Sequence, residues 1–139
     1  MNTKNYNLQT RAIHAGTPSP RIEGSLVPPI FQSTVYESPE VIDSYHDIIY
    51  PRLSNLPNHR ALRAKLASLE GAEDALVMAS GMAAITTTLL EVSGKGGHLL
   101  VQDQLYGGTY TFFQNHCEAL GVECDFIDAD DPQSWEKKL

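Results

Sequence analysis

The spacing of hydrophobic positions changes near residue 57. Before that point the apolar residues show little periodicity, and prolines recur at 18, 20, 28, 29, 39, 51 and 57. The Pro28–Pro29 pair excludes helix locally, because proline lacks an N–H and restricts the residue before it. A stretch this long without regular elements is unusual inside a compact domain. Its apolar content (Leu26, Val27, Ile30, Phe31, Val35, Tyr36) argues against a disordered tail. Residues 1–57 are therefore read as an ordered, extended arm that lies across another domain or another subunit.

After Pro57 helical and strand periodicities alternate. Asn58 is placed to cap a helix in which Leu62, Leu66 and Leu69 recur on one face, and Gly71 ends it. Ala75 to Met78 is an apolar run of strand length. Ser80 and Gly81 open a second helix with Met82, Ile85 and Leu89 on one side, and a glycine-rich turn, Ser93 to Gly97, follows. His98 to Val101 reads as a buried strand. A third helix carries Tyr110, Phe113, Cys117 and Leu120; Gly121 stops it, and Val122 to Ile127 is the next strand. Asp131 caps a last helix with Pro132 in its first position, and that helix carries Trp135 and Leu139. Strands separated by helices of this length imply crossover connections and a parallel sheet. The fold class is α/β, with residues 58–139 as its first portion.

Composition narrows the partners. The 139 residues are 42% hydrophobic and 19% charged, which suits a folded domain, and the net charge of −7 comes from 17 acidic and 10 basic residues. No basic stripe is present, which argues against nucleic acid. No apolar run has membrane-spanning length, and Met1 to Arg11 is polar, without the apolar core of a secretory signal. Cys117 and Cys124 lack CxxC spacing and read as packed, reduced thiols in a cytoplasmic protein; the five histidines show no metal-ligating pattern, and no metal is expected.

Three short segments carry candidate chemistry. Ser80-Gly81-Met82 opens a helix, where free N–H groups and the positive end of the helix dipole attract an anion and glycine lets it approach the backbone. Small residues also occupy such turns for packing alone. Tyr106-Gly107-Gly108 follows the His98–Val101 strand at its carboxyl end, the edge where ligands gather in open α/β sheets. The tyrosine is suited either to wall a flat cavity or to pack on its own helix. In the arm, Arg52 of Tyr50-Pro51-Arg52 offers a fork of donors for phosphate or carboxylate, and Tyr50 a hydroxyl; a solvated surface arginine fits equally.

Four ordered stretches together resemble the trans-sulfuration family of pyridoxal-phosphate (PLP) enzymes, which includes cystathionine γ-synthase, cystathionine γ-lyase, cystathionine β-lyase and methionine γ-lyase. They are Thr10 to Gly16 with Val27 to Ile30; Tyr50-Pro51-Arg52 leading through Asn55 to Leu69-Glu70-Gly71; Ala79 to Ala84; and Tyr106 to Thr109. The resemblance implies an aspartate-aminotransferase-like (type I PLP) large domain, seen here in part, and pyridoxal 5'-phosphate as cofactor. It implies phosphate contacts from Ser80, Gly81 and Met82, and Tyr50 and Arg52 reaching into the site of a neighbouring subunit. Tyr106 is implied to stack on the cofactor ring and to move protons near the substrate amine. A homotetramer, built as a dimer of dimers of same-family subunits, is implied as well.

The Schiff-base lysine of the family is expected downstream, since Lys4, Lys65, Lys95, Lys137 and Lys138 do not stand in its context. The chain is accordingly expected to be the N-terminal part of an enzyme that eliminates or replaces a group at the β or γ carbon of an amino acid. The alternative is a non-catalytic chain that only binds partner subunits. Two departures from the family pattern stand out. The run Asn55-Leu56-Pro57-Asn58 is one residue longer than the usual Asn-Pro-Thr, and Thr111 stands where many relatives have an arginine for the substrate's distal carboxylate. The second weakens the case for a cystathionine-type substrate and favours a smaller thiol-bearing one among the sulfur-containing or O-acylated amino acids of the family.

Overall fold

A computed structural model describes residues 6–138, so Lys4 and Leu139, the latter expected on the last helix, lie outside the described residues. The chain forms two compact units, Met1–Val77 and Met78–Leu139.

The first unit pairs two helices. Helix α1 (Leu8–His14) is capped by Asn7, whose side chain accepts from the Thr10 N–H at 2.9 Å. Its apolar residues Leu8 and Ile13 are largely exposed, so it carries no apolar stripe, which is why spacing did not announce it. Polar contacts hold it on helix α2 (Pro57–Glu70) instead. Lys65 Nζ donates to the carbonyls of Ala12 at 2.9 Å and Ile13 at 3.2 Å, satisfying acceptors that the end of α1 leaves free, and Arg11 donates to the Ser68 carbonyl. The chain then passes α2 so closely that a Cβ on Gly16 would stand 2.1 Å from the Ala61 carbonyl oxygen.

Helix α2 ends as expected, with Gly71 in the left-handed region at φ 71°. Its start differs from expectation. Pro57 takes the first helical position and Leu56 the cap, while the Asn58 side chain pairs with the arm. It accepts from the Phe31 N–H at 3.0 Å and donates to the Phe31 carbonyl at 2.7 Å, satisfying an extended backbone that has no strand partner there. The strand expected at Ala75 to Met78 is also absent. Side chains occupy the Ala75 backbone groups: its N–H donates to Asp74 Oδ1 at 2.8 Å and its carbonyl accepts from Arg63 Nε at 2.7 Å.

The second unit is an α/β layer. Strands β1 (His98–Gln102) and β2 (Glu123–Ile127) pair in parallel, His98 opposite Glu123 through Gln102 opposite Ile127. Helix α3 (Gly81–Ser93) precedes β1, and helix α4 (Gly107–His116) crosses from β1 to β2. Val101, Phe113, Cys117 and Val122 form the buried core, with Leu89, Leu99, Leu105, Phe112, Cys124 and Phe126 packed against it. The third helix is shorter than its apolar spacing suggested. A 3-10 turn, Glu118–Leu120, replaces its last turn before Gly121, leaving Leu120 41% exposed. Helix α5 (Pro132–Glu136) begins as expected, with Asp131 accepting from the Gln133 N–H at 3.0 Å.

Candidate functional site

The second unit sets two helix starts side by side at the carboxyl edge of β1. At the first, Ser80 has extended backbone (φ −157°, ψ 161°), and its hydroxyl accepts from the Ala83 N–H at 3.1 Å. This cap satisfies the third amide of α3 and leaves the first two, Gly81 and Met82, without a hydrogen-bond partner among the described residues. A Cβ built on Gly81 meets nothing within 4 Å, so the approach to these amides is open. The first turns of α3 and α4 contain no acidic residue that would repel an anion.

The second helix start presents an aromatic ring. Tyr106 is the cap residue of α4, where the chain leaves β1, and it is 77% exposed. Its ring lies over Gly108: a Cβ there would be 2.9 Å from Tyr106 Cε1 and 3.7 Å from Met82 Sδ. The Thr109 hydroxyl donates to that sulfur at 3.5 Å. Tyr106 and the α3 start thus meet around one glycine, Gly108. Thr109, which the sequence did not single out, has no local sequence signal, because its partner lies 27 positions away.

Tyr50 and Arg52 belong to the first unit. They flank a 3-10 turn, Pro51–Leu53, closed by Ser54 in the left-handed region at φ 51°. Arg52 donates to the Tyr50 hydroxyl, with its guanidinium carbon 4.6 Å from the centre of that ring. Buried Asn55 shapes the segment by accepting from the Tyr50 N–H at 2.9 Å and donating to the Ile48 carbonyl at 2.6 Å. The lengthened run after Arg52 therefore still provides the asparagine that fixes the turn.

Two of the described lysines are engaged in structural contacts. Lys65 holds the end of α1, and Lys138 pairs with Asp125 at 2.5 Å. Lys95 lies against Gly121 in the turn before β1, at the opposite end of the sheet from Tyr106. Both cysteines are free thiols; burial and then the neighbouring Cys117 push the Cys124 thiol up to about 12. Among the described residues no group of three or more His, Cys, Asp or Glu converges as a metal site, and no helix is long and apolar enough to cross a membrane.

Two free amides at a helix start, an open approach above Gly81 and an exposed aromatic ring beside them present donors suited to an anion next to a flat surface. The chain belongs to the Cys/Met metabolism PLP-dependent enzyme family, whose model matches residues 9–139. It is 41% identical over 129 residues to "Probable cystathionine gamma-synthase" of Herpetosiphon aurantiacus, covering 93% of this chain and 40% of that protein. The crystal structure of metB from Corynebacterium glutamicum superposes with a TM-score of 0.84 at 29% identity, covering all of this chain and 36% of that one. A metY structure from Campylobacter jejuni, which carries N'-pyridoxyl-lysine-5'-monophosphate, matches with a TM-score of 0.79 at 30% identity, over 97% of this chain and 34% of its own. The chain therefore spans between 34% and 40% of the length of these relatives.

Proposed function

We propose that this chain forms the phosphate-holding part of a trans-sulfuration enzyme that eliminates or replaces a group at the β or γ carbon of a sulfur-containing or O-acylated amino acid. The observation that carries this reading is the Ser80 cap, which satisfies Ala83 and leaves the Gly81 and Met82 amides free beside an exposed Tyr106. Pyridoxal 5'-phosphate, when bound, supplies an electron sink that weakens bonds around the substrate's α carbon. Gly81 and Met82 hold its phosphate oxygens, and Ser80 orients the turn. Tyr106 stacks on the ring, and its hydroxyl takes or returns a proton at the substrate amine nitrogen.

A phosphate dianion also calls for a cation, and the first turns of α3 and α4 hold none. Arg52 is the proposed source, lent with the Tyr50 hydroxyl by the arm of a neighbouring subunit in a dimer of dimers. The exposure of Leu26, Val27, Ile30 and Val35, each above 70%, supports an arm that covers a partner's surface. Residues 1–57 are proposed as this inter-subunit arm, and residues 58–139 as the first portion of an aspartate-aminotransferase-like large domain. Thr111 favours a small thiol-bearing amino acid as substrate, and a cytoplasmic setting suits the two free thiols. The engagement of Lys65 and Lys138 in hydrogen bonds favours a second reading for these 139 residues alone: a chain without catalysis that pairs with same-family subunits.

A proline at the first helical position tests the cradle, because it deletes one N–H where a helix tolerates the loss. Gly81→Pro should keep the fold by circular dichroism and weaken binding of pyridoxine 5'-phosphate about tenfold, the value of one charge-assisted hydrogen bond. Gly81→Ala adds a methyl group in open space, keeps the N–H, and should bind normally. Equal affinities for Gly81→Pro and the unaltered chain would contradict the proposed phosphate contact.

A further inference from the structure

Thr109 is one of two polar residues buried among the described residues, at 6% exposure. A hydroxyl so buried loses its water and needs a protein partner. It finds Met82 Sδ at 3.5 Å, while the Thr109 N–H donates to the Tyr106 carbonyl at 2.9 Å. A single residue is thereby bonded to both parts of the candidate site, to the residue bearing the second free amide and to the residue bearing the ring. Both crowd Gly108, where a Cβ would stand 2.9 Å from the Tyr106 ring and 3.7 Å from the Met82 sulfur. A thioether is a weak acceptor, so the bond contributes direction more than strength.

We propose that Thr109 is a positioning residue. By tying the Met82 side chain to the first turn of α4, it sets the spacing between the Gly81 and Met82 amides and the Tyr106 ring, and hence the fit of a ligand with a phosphate at one end and a flat ring at the other. The proposal rests on the reading of this edge as a phosphate-and-ring site. Valine fills the same volume as threonine without the hydroxyl, and serine keeps the hydroxyl without the methyl group, so the two variants separate bonding from packing.

The test uses the whole chain and two readouts. One is the nuclear Overhauser contact between the Met82 methyl and the Tyr106 ring in the ligand-free protein. The other is affinity for pyridoxine 5'-phosphate, which has no aldehyde to react with lysines. Thr109→Val should lose the contact and bind about five- to tenfold more weakly, whereas Thr109→Ser should retain the contact and stay within about twofold. Should Thr109→Val fail to fold, Met82→Leu, which removes the sulfur acceptor and keeps the amide, should show the same loss of affinity. Unchanged readouts in Thr109→Val or its substitute, or equal losses in the valine and serine variants, would overturn the assignment. An unaltered chain that shows the contact, loses it in Thr109→Val and binds no pyridoxine 5'-phosphate would refute the site reading and leave the tie between the helices standing.

Discussion

Ser80 holds the candidate site together at the residue scale. Its hydroxyl could have bonded a ligand; the geometry commits it to the Ala83 N–H, and the two amides before that become the free donors. Ser80→Ala should therefore lower unfolding stability by about 1 kcal/mol, the usual value of a lost N-cap, and disorder the start of α3. Denaturant unfolding measures the first effect and amide exchange at Ala83 the second; an unchanged midpoint with normal Ala83 protection would contradict this role. The helix start at Ser80 and Gly81 was legible because a small capping residue before an apolar helix marks such a start. The tie between Met82 and Thr109 was not, because a contact across 27 positions leaves no trace in local spacing.

Among the elements, strongly periodic or well-capped segments were read correctly. The α3 face of Met82, Ile85 and Leu89, the paired strands and the Asp131 cap all form as their residues indicate. Three misreadings share a physical cause: polar side chains took over backbone groups or surfaces that apolar spacing cannot report. Lys65 and Arg11 dock an α1 with no apolar stripe, Asn58 serves Phe31 instead of its own helix, and Asp74 with Arg63 occupies Ala75. Charge also spans the sheet, where Asp125 on β2 meets Lys138 Nζ at 2.5 Å and His98 of β1 at 3.1 Å. The hydrogen bonds from Lys138 and then His98 hold the Asp125 carboxyl below its ordinary 3.8. A lowered carboxyl pKa stabilises the fold above the unfolded value, and that contribution disappears as pH falls through the folded one. Asp125→Asn should thus be less stable than the unaltered chain at neutral pH, with the gap closing below 3.8 in paired unfolding curves. A gap of constant size down to strongly acidic pH would contradict the ion pairing.

At the scale of the whole molecule, the first unit carries exposed apolar residues, the second unit carries the open start of α3, and Lys65 and Lys138 are held by hydrogen bonds. Treated with pyridoxal phosphate and borohydride, the 139-residue chain should show scattered, weak lysine labelling and no carbon–sulfur bond cleavage. Stoichiometric labelling of one lysine, read by peptide mass spectrometry, would contradict that account. A phosphate held at the start of α3 beside Tyr106 would be seen in an amide-resolved NMR titration of the chain with pyridoxine 5'-phosphate. Saturable shifts should be led by the Gly81 and Met82 amides and accompanied by the Tyr106 ring, with inorganic phosphate reproducing the amide shifts and not those of the ring. Shifts confined to other segments, or none at Gly81 and Met82 at saturating ligand, would contradict this placement of the phosphate.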